Sequence, residues 1–274
     1  MDKYTQIIDL IKNDENIRGV VLYGSRANKN VKPDKFQDYD IYYIVNDVDK
    51  FDITTFRNVK IMFIPSDNYP EIFEREKCYL MLFDDDSRID LVVCTKEDFL
   101  VKHANEIPMK YLIDKDDNLP GTDLRINEDC FIKPMTEKEF SGTCSEFIWE
   151  LQNVAKGLKR DELSYAMFIR DIGVRDMLNK IIDQHIGMMN NFEVTVGTLG
   201  KYRKKYLMEN QYDLYQKTYL SNTTEDKWES IFYMVELFEE LGSEIANKNY
   251  YHYPKSEIEY MKNYLNRTKK ENLL

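Results

Sequence analysis

Val20-Val21-Leu22-Tyr23-Gly24-Ser25-Arg26 and, shortly after it, Phe36-Gln37-Asp38-Tyr39-Asp40-Ile41-Tyr42-Tyr43-Ile44-Val45 form the most informative stretch of the chain. One apolar run ends in Gly-Ser and the next opens on Asp-Tyr-Asp. Side chains two apart on a strand project from one face, so Asp38 and Asp40 point together while Tyr39 points away. Two convergent carboxylates repel unless a cation lies between them. Hard oxygen ligands suit Mg²⁺, which binds one or two carboxylates together with substrate phosphates. The Gly24-Ser25 turn offers backbone N–H groups and a hydroxyl to the same phosphates. The pattern reads as a metal-dependent nucleotide site.

Working outward, Tyr79-Leu80-Met81-Leu82-Phe83 and Arg88-Ile89-Asp90-Leu91-Val92-Val93-Cys94 read as two strands of a hairpin joined by Asp84-Asp85-Asp86-Ser87. Asp90 is a carboxylate inside an apolar strand, costly to bury unless a cation or hydrogen bonds satisfy it. The alternative places it on a solvated face of a half-exposed strand. Beside the Gly-Ser and Asp-Tyr-Asp elements, Asp90 is taken as the third carboxylate of the site. The Asp84-Asp85-Asp86 run is read as a solvated turn.

Gly24-Ser25-Arg26, Asp38-Tyr39-Asp40 and Asp90 resemble the signature of polymerase-beta-type nucleotidyltransferases. Three longer stretches are similar to one branch, the bacterial streptomycin (aminoglycoside 6-) adenylyltransferases: Val21 to Asn28, Asp34 to Ile41, and Tyr79 to Phe83. The likeness continues at Val154-Ala155-Lys156-Gly157-Leu158, Val174-Arg175-Asp176 and Glu236-Leu237-Phe238, and so spans most of the chain. It implies transfer of AMP from ATP, with Mg²⁺, to a hydroxyl of streptomycin, the 6-position by resemblance. Pyrophosphate would be released and antibiotic resistance conferred. The alternatives are a different acceptor (another antibiotic, a protein or an RNA end) or a non-catalytic nucleotide-binding relative.

Composition narrows the partners. In 274 residues, 49 acidic side chains outnumber 38 basic ones, for a formal net charge of -11. Affinity for nucleic acid rests on neutralising phosphates, so this balance argues against a nucleic-acid partner. An acidic surface attracts cations, which suits the polycationic aminoglycoside implied by the resemblance, although acidity for solubility alone is equally ordinary. No apolar stretch approaches membrane-spanning length and the N-terminus lacks the form of a signal peptide. The expectation is a cytoplasmic monomer with no membrane partner. Cys78, Cys94, Cys130 and Cys144 are widely spaced in apolar contexts and read as buried reduced thiols. His103, His185 and His252 lie apart from one another and from paired cysteines, which disfavours a metal site built on them.

Along the chain, Tyr4, Ile7, Ile8 and Ile11 predict an amphipathic helix over 3–13. Strands follow at Gly19–Tyr23, Asp40–Val45 and Val59–Ile64, and with the hairpin they make a mixed sheet. Thr95-Lys96-Glu97-Asp98 resembles a capping box, and Asp114 to Gly121 reads as a loop. From a second capping box at Thr136-Glu137-Lys138-Glu139 the period becomes helical. A long helix carries Phe140, Cys144, Phe147, Ile148, Leu151 and Val154; a second covers Asp161 to about Asp183; a third starts near Thr223. The fold expected is α+β: a nucleotidyltransferase-type mixed β-sheet core with flanking helices over 1–134, then a C-terminal helical bundle, the substrate-binding domain, over 135–274.

The resemblance distributes the roles. Asp38 and Asp40 would hold Mg²⁺ against the triphosphate, and Asp90 would complete the metal site or draw the proton from the acceptor hydroxyl. Gly24 and Ser25 would meet the phosphates. Arg26 would neutralise phosphate charge or lie at the surface. In the helical half, Glu146 and Glu150 share a helix face with Trp149 nearby; they are read as the wall that takes cationic groups of the acceptor, against the plainer account of a solvated face. Lys156 would reach phosphate or favour a helix end, and Lys201, in Gly200-Lys201-Tyr202, offers a further lysine to the triphosphate.

Overall fold

The computed structural model describes residues 3–28, 31–103, 108–120 and 130–271. The chain divides into two compact units, Met1–Asn127 and Glu128–Leu274.

The first unit is a six-stranded sheet in the order β3-β4-β5-β2-β1-β6. Its strands are β1 (Ile17–Tyr23), β2 (Tyr39–Val45), β3 (Val59–Phe63), β4 (Lys77–Phe83), β5 (Arg88–Thr95) and β6 (Met109–Asp114). The pairing of β2 with β5 is parallel and the other pairings are antiparallel. Helix α1 (Lys3–Asn13) buries Ile7 and Ile11 against one face, where Ile41, Tyr43, Val45, Leu91 and Val93 also point. The Tyr43 hydroxyl donates to the Ile7 carbonyl at 2.9 Å, so the helix is tied by a buried polar contact as well as by packing. The opposite face carries Val21, Tyr42, Ile44, Val92, Cys94 and Phe99. Apolar residues on both faces explain why β1, β2 and β5 read as nearly continuous hydrophobic runs.

The hairpin β4–β5 and the helical turn α3 (Lys96–Asp98) behind Thr95 form as the sequence indicates. The Thr95 hydroxyl accepts from the Asp98 N–H at 3.2 Å. Strand β6 was not legible in the sequence. It is an edge strand with four of its six residues only partly buried, and it is recruited by β1 rather than by its own pattern. Gly121, the end of the expected loop, lies outside the described residues. α2 (Pro65–Asn68) is a further short turn.

The second unit is helical. Its elements are α4 (Glu137–Lys159), α5 (Leu163–Phe168), α6 (Arg175–Met189), α7 (Arg203–Tyr206), α8 (Glu209–Lys217), α9 (Thr224–Asn249) and α10 (Lys255–Lys270). Helices α4 and α9 both start on complete capping boxes, at Thr136–Glu139 and Thr223–Asp226. Phe147 and Phe238 stack at 3.8 Å within one core that also holds Cys144, Leu151, Ile181 and Leu241. The helix expected over 161–183 is interrupted: a π-helical stretch, Ile169–Val174, separates α5 from α6. Among the described helices none is long and apolar enough to cross a membrane.

Candidate active site

Asp38, Asp40 and Asp90 are placed where β1 ends and where β2 and β5 begin. Because β2 and β5 run parallel, Asp40 and Asp90 are register partners on adjacent strands. Asp40 is also the partner of Tyr23 across the antiparallel β1–β2 pair. Gly24 follows at once, opening a 3₁₀ turn over Gly24–Arg26. It has φ +70°, a conformation that side chains disfavour. A Cβ at Gly24 would also overlap the Oδ2 atom of Asp40. Glycine is required here on both counts, and its bare Cα is what lets the Asp40 carboxylate lie against the turn.

Asp38 stands just before β2 and is placed by Arg26. The Arg26 guanidinium donates from Nε to the Asp38 carbonyl at 3.0 Å and from Nη2 to the Gln37 carbonyl at 2.7 Å. It stacks over the Tyr39 ring at 3.9 Å. The Gln37 side chain reaches back to the Ser25 carbonyl at 3.4 Å. The turn carrying Ser25 and the loop carrying Asp38 are thus fastened together. These contacts of Arg26 hold the backbone in front of the site.

A residue outside the sequence motifs completes the cluster. Arg88 donates from Nε and Nη2 to the two Asp90 oxygens at 2.7 and 2.6 Å, and its Nη1 lies 3.6 Å from Asp38. Arg88 and Asp90 are two apart on β5 and share a face, the same rule that pairs Asp38 with Asp40. Alternation could have found it. Partial burial pushes the Asp38 carboxyl up from its usual range; the Arg88 charge pulls it down and the Asp90 charge pushes it up again. Arg88 in turn is held firmly protonated by Asp90.

Among the described residues no three or more His, Cys, Asp or Glu side chains are gathered closely enough to hold a metal ion. Among the described residues the Arg88 guanidinium is the cation that contacts both Asp38 and Asp90 in this conformation. Arg88 sets the Asp90 and Asp38 carboxylates against one positive charge, and carboxylate oxygens are the donor type that suits a hard divalent cation.

In the helical unit, Glu146, Trp149, Glu150 and Lys156 all lie on α4. Trp149 is 67 % exposed, and Glu150 accepts from the Asn153 side chain at 3.1 Å. Glu146 and Lys156 are exposed. Lys201 is exposed just after the 3₁₀ turn Thr198–Gly200, 5.3 Å from the Tyr202 ring. These residues belong to the second unit, whereas Gly24, Ser25, Arg26, Asp38, Asp40 and Asp90 converge within the first. His103, set aside as a metal ligand, contacts the Tyr42 hydroxyl at 3.1 Å and Glu76 at 2.9 Å. Cys130 is exposed, unlike the three other cysteines.

Residues 1–268 match the family model described as streptomycin adenylyltransferase. An aminoglycoside 6-adenylyltransferase of Campylobacter jejuni is 33 % identical over 98 % of this chain and 95 % of its own length. One of Bacillus subtilis strain 168 is 32 % identical over 90 % of each. A crystal structure of a Bacillus subtilis aminoglycoside 6-adenyltransferase aligns with 28 % identity and a TM-score of 0.49, covering 98 % of this chain and 97 % of that one.

Proposed function

The chain belongs to the streptomycin adenylyltransferase family, a family of nucleotidyltransferases, and from that membership we propose that it transfers AMP from MgATP to a hydroxyl of streptomycin, releasing pyrophosphate. The observation that carries this reading is the register of Asp40 with Asp90 beside the Gly24 turn, inside a match that runs nearly the whole chain. The names of the relatives favour the 6-position. Modification of the drug would confer resistance on the host. The reaction is assigned to a single copy in the cytoplasm, where MgATP is held.

Asp38, Asp40 and Asp90 would hold Mg²⁺, which when bound neutralises phosphoryl charge and supports both the attacking and the leaving oxygen. The Gly24–Arg26 turn presents its backbone and the Ser25 hydroxyl to phosphate oxygens. Arg26 fixes the peptide that carries Asp38, so the carboxylates are oriented before substrate arrives. Asp90, once parted from Arg88, has a free oxygen for the proton of the acceptor hydroxyl. Lys156 and Lys201 are assigned to the triphosphate. Glu146 and Glu150 are assigned to the cationic groups of the drug, with Trp149 as an apolar surface for its rings.

The test is pyrophosphate release from MgATP with streptomycin, with kanamycin and without acceptor, together with the mass of the drug. Turnover with streptomycin and an AMP increment support the proposal. Silence with both drugs despite MgATP binding would move the assignment to another acceptor. Asp40→Asn, which removes charge with little change of shape, should abolish transfer and leave the fold intact; near-normal turnover would show the site to be misplaced.

A further inference from the structure

Arg88 belongs to none of the motifs that point to the active site, yet its contacts there are short. Both Asp90 oxygens accept from its planar fork at 2.7 and 2.6 Å, and Asp38 lies 3.6 Å away. A carboxylate bound by a bidentate guanidinium has both oxygens committed to that partner. While Arg88 holds it, Asp90 is therefore a poorer ligand for a cation and a poorer acceptor for a proton, since one acceptor site on each oxygen is taken and the guanidinium charge opposes both. The arginine side chain is 44 % exposed, so it can leave without breaking a packed core, and exposed ion pairs are weak enough to exchange.

Resting on the nucleotidyltransferase reading above, we propose that Arg88 is the resident counter-ion of this site, which competes with the divalent cation for Asp90 and Asp38 and on release turns its charge to the phosphates of the bound nucleotide. The fork that fits a carboxylate also fits phosphate oxygens. Arg88 stands two residues from Asp90 on one strand face, so both serve the same volume. Charge stays balanced on either side of the exchange. Before it, the guanidinium faces the carboxylates; after it, the metal faces the carboxylates and the guanidinium faces the triphosphate.

One substitution should then have effects of opposite sign, which a merely structural arginine would not produce. With the full chain and no nucleotide, Mn²⁺ affinity is read from the resonance of the free ion in wild type, Arg88→Gln and Asp40→Asn. Affinity for a non-hydrolysable ATP analogue is read by calorimetry at saturating Mg²⁺. Arg88→Gln should bind Mn²⁺ about tenfold tighter than wild type and the analogue about tenfold more weakly, each a shift of ~1.4 kcal/mol. Mn²⁺ binding that Asp40→Asn weakens but Arg88→Gln leaves unchanged or weaker overturns the exchange alone. Tighter metal with unchanged analogue affinity overturns the transfer to phosphate. No Mn²⁺ binding by wild type, or binding indifferent to Asp40→Asn, overturns the metal site itself and the exchange with it. Crystals of wild type with and without Mn²⁺ need no variant: an Arg88–Asp90 fork still closed with metal bound refutes the proposal.

Discussion

Replacing Gly24 by alanine separates the chemistry of the site from the stability of the fold. Gly24 has φ +70°, and an alanine forced into that left-handed region costs roughly 1–2 kcal/mol. For a chain of this size that lowers the melting temperature by roughly 2–8 °C. The geometric effect is larger. The new methyl would occupy the place of Asp40 Oδ2 and stand 3.0 Å from its Cγ. Ordinary contact distances require the carboxylate to retreat by about 1 Å, and a displacement of that size at a reacting centre costs on the order of 100-fold. Gly142→Ala is the matching control, because a Cβ there meets nothing within 4 Å. Alanine on that exposed turn of α4 should add about 0.5–1 kcal/mol of stability and leave turnover alone. The assay is initial-rate pyrophosphate release alongside thermal unfolding. A folded Gly24→Ala protein that keeps turnover within about threefold of wild type would refute the claim that Asp40 acts from its place against this turn.

Arg26→Met should lower turnover about tenfold, and Arg26→Lys nearly as much, because lysine keeps the charge but lacks the fork that spans the Gln37 and Asp38 carbonyls; full rescue by lysine would return Arg26 to a simple charge role. In the helical unit, Arg203 is almost fully buried and held by both oxygens of Asp183 at 2.7 and 2.8 Å. Asp183→Asn should cost about 2–3 kcal/mol in urea unfolding, the lower side of a broken buried pair because Asp183 retains some solvent. A loss below about 0.5 kcal/mol would show that water replaces the carboxylate. An aromatic disulfide reagent at neutral pH should titrate Cys130 rapidly in the native protein and all four cysteines in denaturant. Burial pushes the Cys78 thiol up to about 11 and that of Cys144 up to about 12, so little reactive thiolate forms there. A second fast thiol in the native protein contradicts the packing described.

Much of the architecture is written in local pattern. Period-2 alternation and apolar runs locate β1, β2, β4 and β5, and the Thr136 and Thr223 capping boxes mark the starts of α4 and α9 within a residue. Where the pattern is weak, the fold is decided elsewhere. Strand β6 forms because β1 offers an edge for it. The interruption at Ile169–Val174 is announced by no proline or capping signal.

The site divides in the same way. Sequence alone supplies the Gly24-Ser25 turn, the Asp38–Asp40 pair and the isolated strand carboxylate Asp90, because each depends on neighbours within a few residues. The tertiary structure decides their assembly. Asp40 meets Asp90 only because β2 and β5 pair in parallel across about fifty intervening residues, and no local period encodes a pairing at that range. The β1–β2 pairing likewise brings Arg26 to the Gln37 and Asp38 carbonyls, whereas the Arg88–Asp90 contact follows from their spacing on one strand. Arg26 and Arg88 look alike as charges beside a motif, yet one binds backbone carbonyls and the other closes on carboxylates. Which acceptor a guanidinium finds is a property of what the folded chain brings within about 3 Å of it.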